Sequence, residues 1–172
     1  MTRAYHQPRL LEADDILDGF ECRSEEQTQW LRRHARQAHA SGTSRVLVVT
    51  EVGDTRVVAY YAWCMAGISV TDAPLRLTKG AGRYPQPVAL LARLGVATEH
   101  EGYGLGAGLL ADVIGRTAQL GKEIGCRGLL VHAESAPARS FYLHLIPEFE
   151  TSPTDELHLL LMLKDIARAL RG

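Results

Sequence analysis

An apolar strand that runs through a glycine-rich turn directly into a helix is the feature that most constrains this chain. Apolar residues over 87–97 predict a buried strand, and an amphipathic pattern over 105–119 predicts the helix. The turn reads Glu-Gly-Tyr-Gly-Leu-Gly from Glu101 onward. Alternate glycines let the backbone take positive φ angles and approach a ligand, and the first N–H groups of a helix have no intrahelical partner. This order predicts a cradle for phosphate or pyrophosphate, although a plain turn leading into a helix gives the same pattern.

The rest of the chain alternates between strand and helix patterns. Periodicity and capping signals predict these elements in chain order: a helix over 25–40, strands 45–51 and 56–66 joined by a hairpin turn, a loop over 71–87, strand 87–97, helix 105–119, strand 128–133, a short helix from Ser135 to about Leu145, strand 157–163 and helix 165–171. A hairpin followed by strand–helix–strand–helix–strand indicates the α/β class, with a mixed sheet covered by helices. No linker interrupts the chain, so residues 1–172 are expected to form a single domain.

The basic residues are separated from the acidic ones along the sequence. The chain has 172 residues and a net charge of −1, but the windows 30–45 and 73–98 together carry eight positive charges and no acid, so the remainder carries −9. The basic residues of the two windows are Arg32, Arg33, Arg36, Arg45, Arg76, Lys79, Arg83 and Arg93. Such segregation suits the steering of an anionic partner toward one face. The alternative is that acids from elsewhere in the fold pair with these side chains.

Two other properties bound the class of protein. Cys22, Cys64 and Cys126 lie far apart without a C-x-x-C spacing, so neither a disulfide framework nor a metal site is predicted, and all three are expected to be small buried residues. No apolar run is long enough to span a bilayer, and the N-terminal residues lack the apolar core of a secretion signal. These patterns predict a cytoplasmic protein without membrane contact.

A second motif, Ala-x-x-Phe-Tyr ending at Tyr142, follows the strand at 128–133. With the glycine turn, it resembles the GCN5-related N-acetyltransferases (GNAT) over about the whole chain. Further motifs resemble the acetyltransferase toxins of bacterial toxin–antitoxin pairs (TacT- and AtaT-like), namely Phe20-Glu21-Cys22, Trp30-Leu31, Tyr60-Tyr61, Arg93-Leu94-Gly95-Val96 and Val131-His132-Ala133. The resemblance implies a single GNAT domain over 1–172, with a mostly antiparallel central sheet whose central strands splay apart and are flanked by helices.

The resemblance also implies an activity and partners. It implies an acetyl-CoA-dependent N-acetyltransferase that acetylates the α-amine of aminoacyl-tRNA and blocks translation. Relatives are commonly dimers, which implies a homodimer, and they are held inactive by a ribbon-helix-helix antitoxin. Two alternatives remain open: a GNAT acting on a small-molecule amine or a protein N-terminus, and a non-catalytic acetyl-CoA-binding module.

The cofactor residues follow from the same resemblance. The glycine turn would hold the pyrophosphate, and the strand edge at 94–96 would pair with the pantetheine amides, with the Val96 N–H as a candidate oxyanion donor. The residues expected to hold acetyl-CoA are Leu94, Gly95, Val96, Glu101, Gly102, Tyr103, Gly104, Leu105, Gly106, Ala107 and Phe141. Glu101 departs from the family, which favours Gln or Arg there, and its carboxylate would repel a pyrophosphate unless it points to solvent. Arg23 stands where relatives often have glycine, without an evident chemical consequence.

Tyr142 is the expected catalytic residue, a general acid that protonates the sulfur of the departing coenzyme. The alternative is that Tyr142 only packs beside Phe141. An α-amine has a pKa of about 8, so a strong base is not required and water can carry the proton away. Glu134 and His132 remain possible bases, although structural roles explain both.

The basic windows provide candidate contacts to tRNA phosphates. The residues expected to bind tRNA are Arg32, Arg33, Arg36, Arg76, Lys79, Arg83 and Arg93. Phosphate contacts position a nucleic acid without reading its sequence, and they weaken with salt. Arg93 could instead serve the cofactor phosphates, and Lys79 and Arg83 could simply solubilise a loop.

Overall fold

A computed structural model describes residues 2–80 and 82–171. In chain order the elements are β1 (Arg9–Leu10), α1 (Glu25–Arg33), α2 (Ala35–Ser41), β2 (Arg45–Thr50), β3 (Val57–Ile68), α3 (Leu75–Thr78), β4 (Gln86–Val96), a 3₁₀ turn (Thr98–His100), α4 (Leu105–Leu120), β5 (Gly128–His132), α5 (Ala136–Leu145), β6 (Glu150–Thr151), β7 (His158–Met162) and α6 (Leu163–Arg171).

The strands form one sheet in the order β1-β2-β3-β4-β5-β7-β6. β4 pairs with β5 in parallel, whereas the β1–β2, β2–β3, β5–β7 and β6–β7 pairs are antiparallel. The parallel register runs from Ala89↔Leu129 to Leu91↔Val131, and β4 itself continues to Val96. The predicted class is therefore confirmed: an α/β fold with a mixed, mostly antiparallel sheet and helices between its strands.

By contacts the chain divides into two compact units. Unit 1 comprises residues 1–64 and 92–112, and unit 2 comprises residues 65–91 and 113–172.

The apolar core of unit 1 lies between α1, α2 and the hairpin strands. Leu31 and Ala35 are fully buried, as their spacing predicts, and they belong to one cluster with Tyr60. α1 begins after Ser24, whose hydroxyl accepts a hydrogen bond from the backbone N–H of Gln27 at 3.1 Å. The capping and the apolar spacing together explain why this segment is a helix that packs on the sheet.

The single helix predicted over 25–40 is wrong in one respect, because it is divided at His34. The backbone of His34 leaves the helical region, with φ −122° and ψ −21°, and α2 starts at Ala35. No glycine or proline marks this break, so apolar periodicity alone could not reveal it. α2 ends at Ser41 and is capped by Gly42, whose φ of 80° gives the left-handed conformation that glycine adopts readily.

Unit 2 has its own core and anchors the segment that was expected to be a loop. Residues 71–87 contain α3 and the first residues of β4, and Leu77 of α3 is fully buried. The Ser152 hydroxyl donates to the carbonyl of Asp72 at 2.6 Å, and Arg127 donates to Gln86 at 2.6 Å. The prediction of a plain loop is therefore wrong for part of this segment, because contacts to residues distant in sequence order it.

Local signals predicted the remaining elements well. α5 begins after Ser135, whose hydroxyl accepts from the Ala138 N–H at 3.2 Å, and ends at Leu145 as expected. β1, β6, α3 and the 3₁₀ turn were not predicted, because elements of two to four residues leave no periodicity. The three cysteines are half-buried rather than buried. Within the described ranges, no helix combines the length and apolarity that a membrane crossing requires.

Candidate functional site

The glycine turn in unit 1 has the backbone geometry that the sequence predicts. Gly102 and Gly104 have φ angles of 84° and 80°, values that side-chain-bearing residues rarely adopt. The first helical hydrogen bond of α4 runs from the Gly108 N–H to the Gly104 carbonyl at 3.0 Å. The three preceding N–H groups of the first turn therefore lack intrahelical acceptors and are available to an anion.

Gly95 lies in β4 where the strand passes a packed aromatic cluster. A Cβ added to Gly95 would lie 3.0 Å from Cε1 of Tyr60 and 3.5 Å from Cζ of Phe20. The Tyr60 ring is fully buried, and its hydroxyl donates to the Gln27 carbonyl at 2.6 Å. β4 therefore approaches Tyr60 closely at Gly95, which favours a residue without a side chain at this point of the strand.

Glu101 at the start of the turn forms an ion pair with Arg23. Nε of Arg23 donates to Oε1 of Glu101 at 2.8 Å and to Oε2 at 3.1 Å. Arg23 and Glu101 thus contact each other across 78 positions of sequence. The Glu101 carboxylate is neutralised locally, which removes the isolated negative charge that the sequence alone suggested.

Tyr142 lies on α5 in unit 2 and is buried. Its ring packs edge-on against Phe141 and Phe149, at centroid distances of 5.2 Å and 6.2 Å. Burial, and then the negative charge of Glu134, raise the pKa of Tyr142 well above its usual value, so the phenol keeps its proton at neutral pH. The hydroxyl makes no hydrogen bond to any residue in the part of the chain that the structure describes. The ring packs beside Phe141, as the alternative role for Tyr142 expects. The hydroxyl proton is nevertheless not donated to any described residue.

The two candidate bases also belong to unit 2. The imidazole rings of His132 and His158 stack with their centroids 3.8 Å apart, and Nε2 of His158 lies 3.3 Å from Oδ2 of Asp155. Burial, and then the positive charge of His158, lower the pKa of His132. A neutral His132 can accept a proton, and its place in this stacked pair also gives it a structural role.

The acidic partners expected as an alternative are present for two of the basic residues. Arg93 lies 2.7 Å from Glu26, and its guanidinium carbon lies 5.7 Å from the centre of the Trp30 ring. Arg76 pairs with Asp165 at 3.1 Å and with Glu150 at 3.2 Å.

Other members of the basic set differ from these two. Arg36 donates to the backbone carbonyls of Glu12 and Asp15. Arg32, Arg33, Lys79 and Arg83 are exposed and have no ion pair within residues 2–80 and 82–171. These four side chains carry charge that is free to meet phosphates.

A pocket of about 460 Å³ in unit 1 opens along helix α1. Its lining consists of Glu26, Gln29, Trp30, His34 and Arg93. The Trp30 ring stacks on Tyr60, with centroids 6.0 Å apart and planes 6° from parallel. The sequence analysis used Trp30 only as part of a motif. It did not predict that Glu26, Gln29 and His34 line a pocket with this ring. The spacing of three and four residues along α1 from position 26 to 34 is the signal that could have found it.

Comparisons with known proteins identify relatives of the chain and of its fold. No family model matches the chain. A "tRNA-acetylating toxin" of Mycobacterium tuberculosis (strain ATCC 25618 / H37Rv) is 42% identical over 168 residues, which cover 98% of each chain.

Two solved structures share the fold. AtaT complexed with acetyl-methionyl-tRNAfMet has a TM-score of 0.84 at 24% identity, covering 94% of this chain and 97% of that one. A tyrosine-to-phenylalanine variant of the AtaT toxin, bound to the C-terminus of the antitoxin AtaR and to acetyl-CoA, has a TM-score of 0.79 at 22% identity and covers 100% of both chains. From its identity with the mycobacterial relative along almost the whole length of both proteins, the chain belongs to the family of tRNA-acetylating toxins.

Proposed function

We propose that this protein transfers the acetyl group of acetyl-CoA to the α-amine of aminoacyl-tRNA and thereby blocks translation. The observation that carries the proposal is the 42% identity to a tRNA-acetylating toxin over 98% of the chain. An acetylated α-amine is an amide, whose nitrogen is no longer nucleophilic, so the modified aminoacyl group cannot attack a peptidyl ester. Residues 1–172 act in this proposal as one acetyltransferase domain.

The chain offers groups that fit acetyl-CoA, which supplies the activated acetyl thioester. The turn with positive φ at Gly102 and Gly104 turns the first N–H groups of α4 toward an anion, which suits the pyrophosphate. The parallel β4–β5 register ends at Leu91, and the β4 residues beyond it, Leu94–Val96, would bind the amides of the pantetheine arm. The Val96 N–H would then stabilise the developing oxyanion.

Tyr142 would protonate the departing thiolate. Its raised pKa keeps the phenol protonated until negative charge develops on the sulfur, and its hydroxyl has no hydrogen-bond partner within the described residues to compete for that proton. The attacking nitrogen becomes positively charged when it forms the new C–N bond. It then loses a proton, which offsets the proton that the departing thiolate gains. Since an α-amine has a pKa of about 8, water can remove this proton without a strong base. His132 and Glu134 are the alternative acceptors.

The tRNA would be held by the basic residues through its phosphates. The largest contribution would come from the four residues that have no ion pair within the described ranges, because binding a phosphate would displace only water from them. These are Arg32, Arg33, Lys79 and Arg83. Arg36, Arg76 and Arg93 already have protein partners, so each would share its charge with a phosphate.

The remaining parts of the proposal concern the cellular setting. A substrate that serves the ribosome places the protein in the cytoplasm. The family resemblance supports a homodimer and inhibition by a ribbon-helix-helix antitoxin, and the related AtaT toxin has been seen bound to the C-terminus of its antitoxin.

The test is acetyl transfer to charged tRNA. Purified protein is incubated with isotopically labelled acetyl-CoA and aminoacyl-tRNA, and the aminoacyl-adenosine released by nuclease is analysed by mass spectrometry. We expect N-acetylation by the wild type and a loss of at least about 100-fold in rate for Tyr142→Phe, the scale of general acid catalysis. Tyr84→Phe removes a hydroxyl from a side chain that is 81% exposed and should react like the wild type. Acetylation of peptide N-termini but not of tRNA would refute the proposed substrate.

A further inference from the structure

The structure joins Arg23 and Glu101, 78 positions apart in sequence, at the start of the glycine turn. We infer that Arg23 is a pyrophosphate-binding residue, held beside the turn by Glu101. This inference rests on the proposed function, because the anion in question is the pyrophosphate of coenzyme A. It assigns a task to a side chain that sequence reasoning left without one.

The ion pair leaves the two terminal guanidinium nitrogens of Arg23 available to a ligand. Both carboxylate oxygens of Glu101 are engaged by Nε alone, at 2.8 Å and 3.1 Å. The two terminal nitrogens of the guanidinium have no partner within residues 2–80 and 82–171. These nitrogens carry four of the five N–H donors of an arginine, in the planar fork that binds phosphate oxygens two at a time. The Arg23 side chain is 83% exposed, so an anion can reach them.

The opposite charges of Arg23 and Glu101 explain why the two residues occur together beside the turn. Glu101 immediately precedes Gly102, so a lone carboxylate there would stand against any phosphate bound in the turn. Arg23 cancels that charge and places cationic N–H groups at the same point. The cationic donor is thus supplied from the loop before α1, and Glu101 limits the rotamers of the arginine.

The pair is poorly suited to a purely structural role. Exposed ion pairs contribute little to folding because water screens them and because ordering two long side chains costs entropy. Removing Arg23 should therefore leave thermal stability unchanged while changing the affinity for coenzyme A. This difference separates a binding role from a structural one.

The experiment compares Arg23→Gln, the double variant Arg23→Gln with Glu101→Gln, and the control Arg168→Gln. Arg168 is also an exposed arginine in an ion pair, with Asp165 at 2.7 Å, and it lies in unit 2. Binding of coenzyme A is measured by titration calorimetry, and KM and kcat are measured with acetyl-CoA and with S-acetylpantetheine, which lacks the pyrophosphate. We expect Arg23→Gln to weaken coenzyme A binding about tenfold, the effect of losing a hydrogen bond to a charged group. The KM for S-acetylpantetheine, kcat and the melting temperature should stay at wild-type values.

Restoring neutrality should restore part of the affinity. The double variant lacks the uncompensated carboxylate, so it should bind coenzyme A more tightly than Arg23→Gln, and Arg168→Gln should match the wild type. Equal weakening toward both acetyl donors, wild-type affinity in Arg23→Gln, or no recovery in the double variant would each overturn the inference alone. Wild-type protein that does not bind coenzyme A would overturn the proposed function and the inference together.

Discussion

The close approach of Gly95 to Tyr60 makes a quantitative prediction about a single methyl group. In Gly95→Ala the new Cβ would lie 3.0 Å from Cε1 of Tyr60, where an ordinary contact is at least about half an ångström longer. The Tyr60 ring cannot easily move, because Phe20 packs edge-on against it at 5.5 Å, Trp30 stacks on it at 6.0 Å and its hydroxyl is bound to Gln27. The added methyl must therefore be accommodated by strain in the core or in β4.

The magnitude follows from two opposing effects. Overpacking a well-filled core costs about 1–3 kcal/mol, and replacing glycine by alanine recovers about 0.4–1 kcal/mol by restricting the unfolded chain. The free energy of unfolding should fall by about 1–2 kcal/mol, which for a chain of this size lowers the melting temperature by about 2–8 °C.

Gly115→Ala is the matched control, because the same substitution in α4 meets nothing within 4 Å. It should instead raise stability by about 0.5–1 kcal/mol, since alanine is the better helix former. Both variants are measured by urea unfolding followed by circular dichroism, with Tm from the same signal. A Gly95→Ala protein as stable as Gly115→Ala would refute the packing argument.

Two further predictions concern charge. Asp15 is buried, which raises its pKa, but hydrogen bonds from the Arg9 guanidinium and the Glu12 N–H, with the charges of Arg9 and Arg36, more than offset this and lower the pKa of Asp15 below its usual value. The ionised form therefore contributes stability above pH ~4 that is lost as the pH falls further. Arg9→Gln should cost about 1–3 kcal/mol at pH 7. Urea titrations in which this difference does not shrink as the pH falls below about 4 would contradict the assignment. A double variant with Arg32→Gln and Arg33→Gln should weaken tRNA binding and reduce the slope of log K against log salt by about 2, and an unchanged slope in filter-binding titrations would show that these side chains only solvate α1.

Sequence reasoning succeeded where the determinants are local. The glycine turn, the Ser135 cap and the hairpin strands are each specified by residues within a few positions of one another, and all three are present in the structure. It failed where one partner lies far along the chain. The role proposed for Arg23 depends on its ion pair with Glu101, and the contacts of the segment 71–87 depend on Ser152 and Arg127. A break such as that at His34, without proline or glycine, follows from packing and has no local signature.

The anchoring of the segment 71–87 has a consequence for how its basic side chains would work. Ser152 holds the Asp72 carbonyl at one end, Arg127 holds Gln86 at the other, and Leu77 is buried between them. Lys79 and Arg83 therefore lie between two anchored ends of the segment. Binding of a polyanion by these two side chains would then cost less backbone entropy than ordering a segment without such anchors.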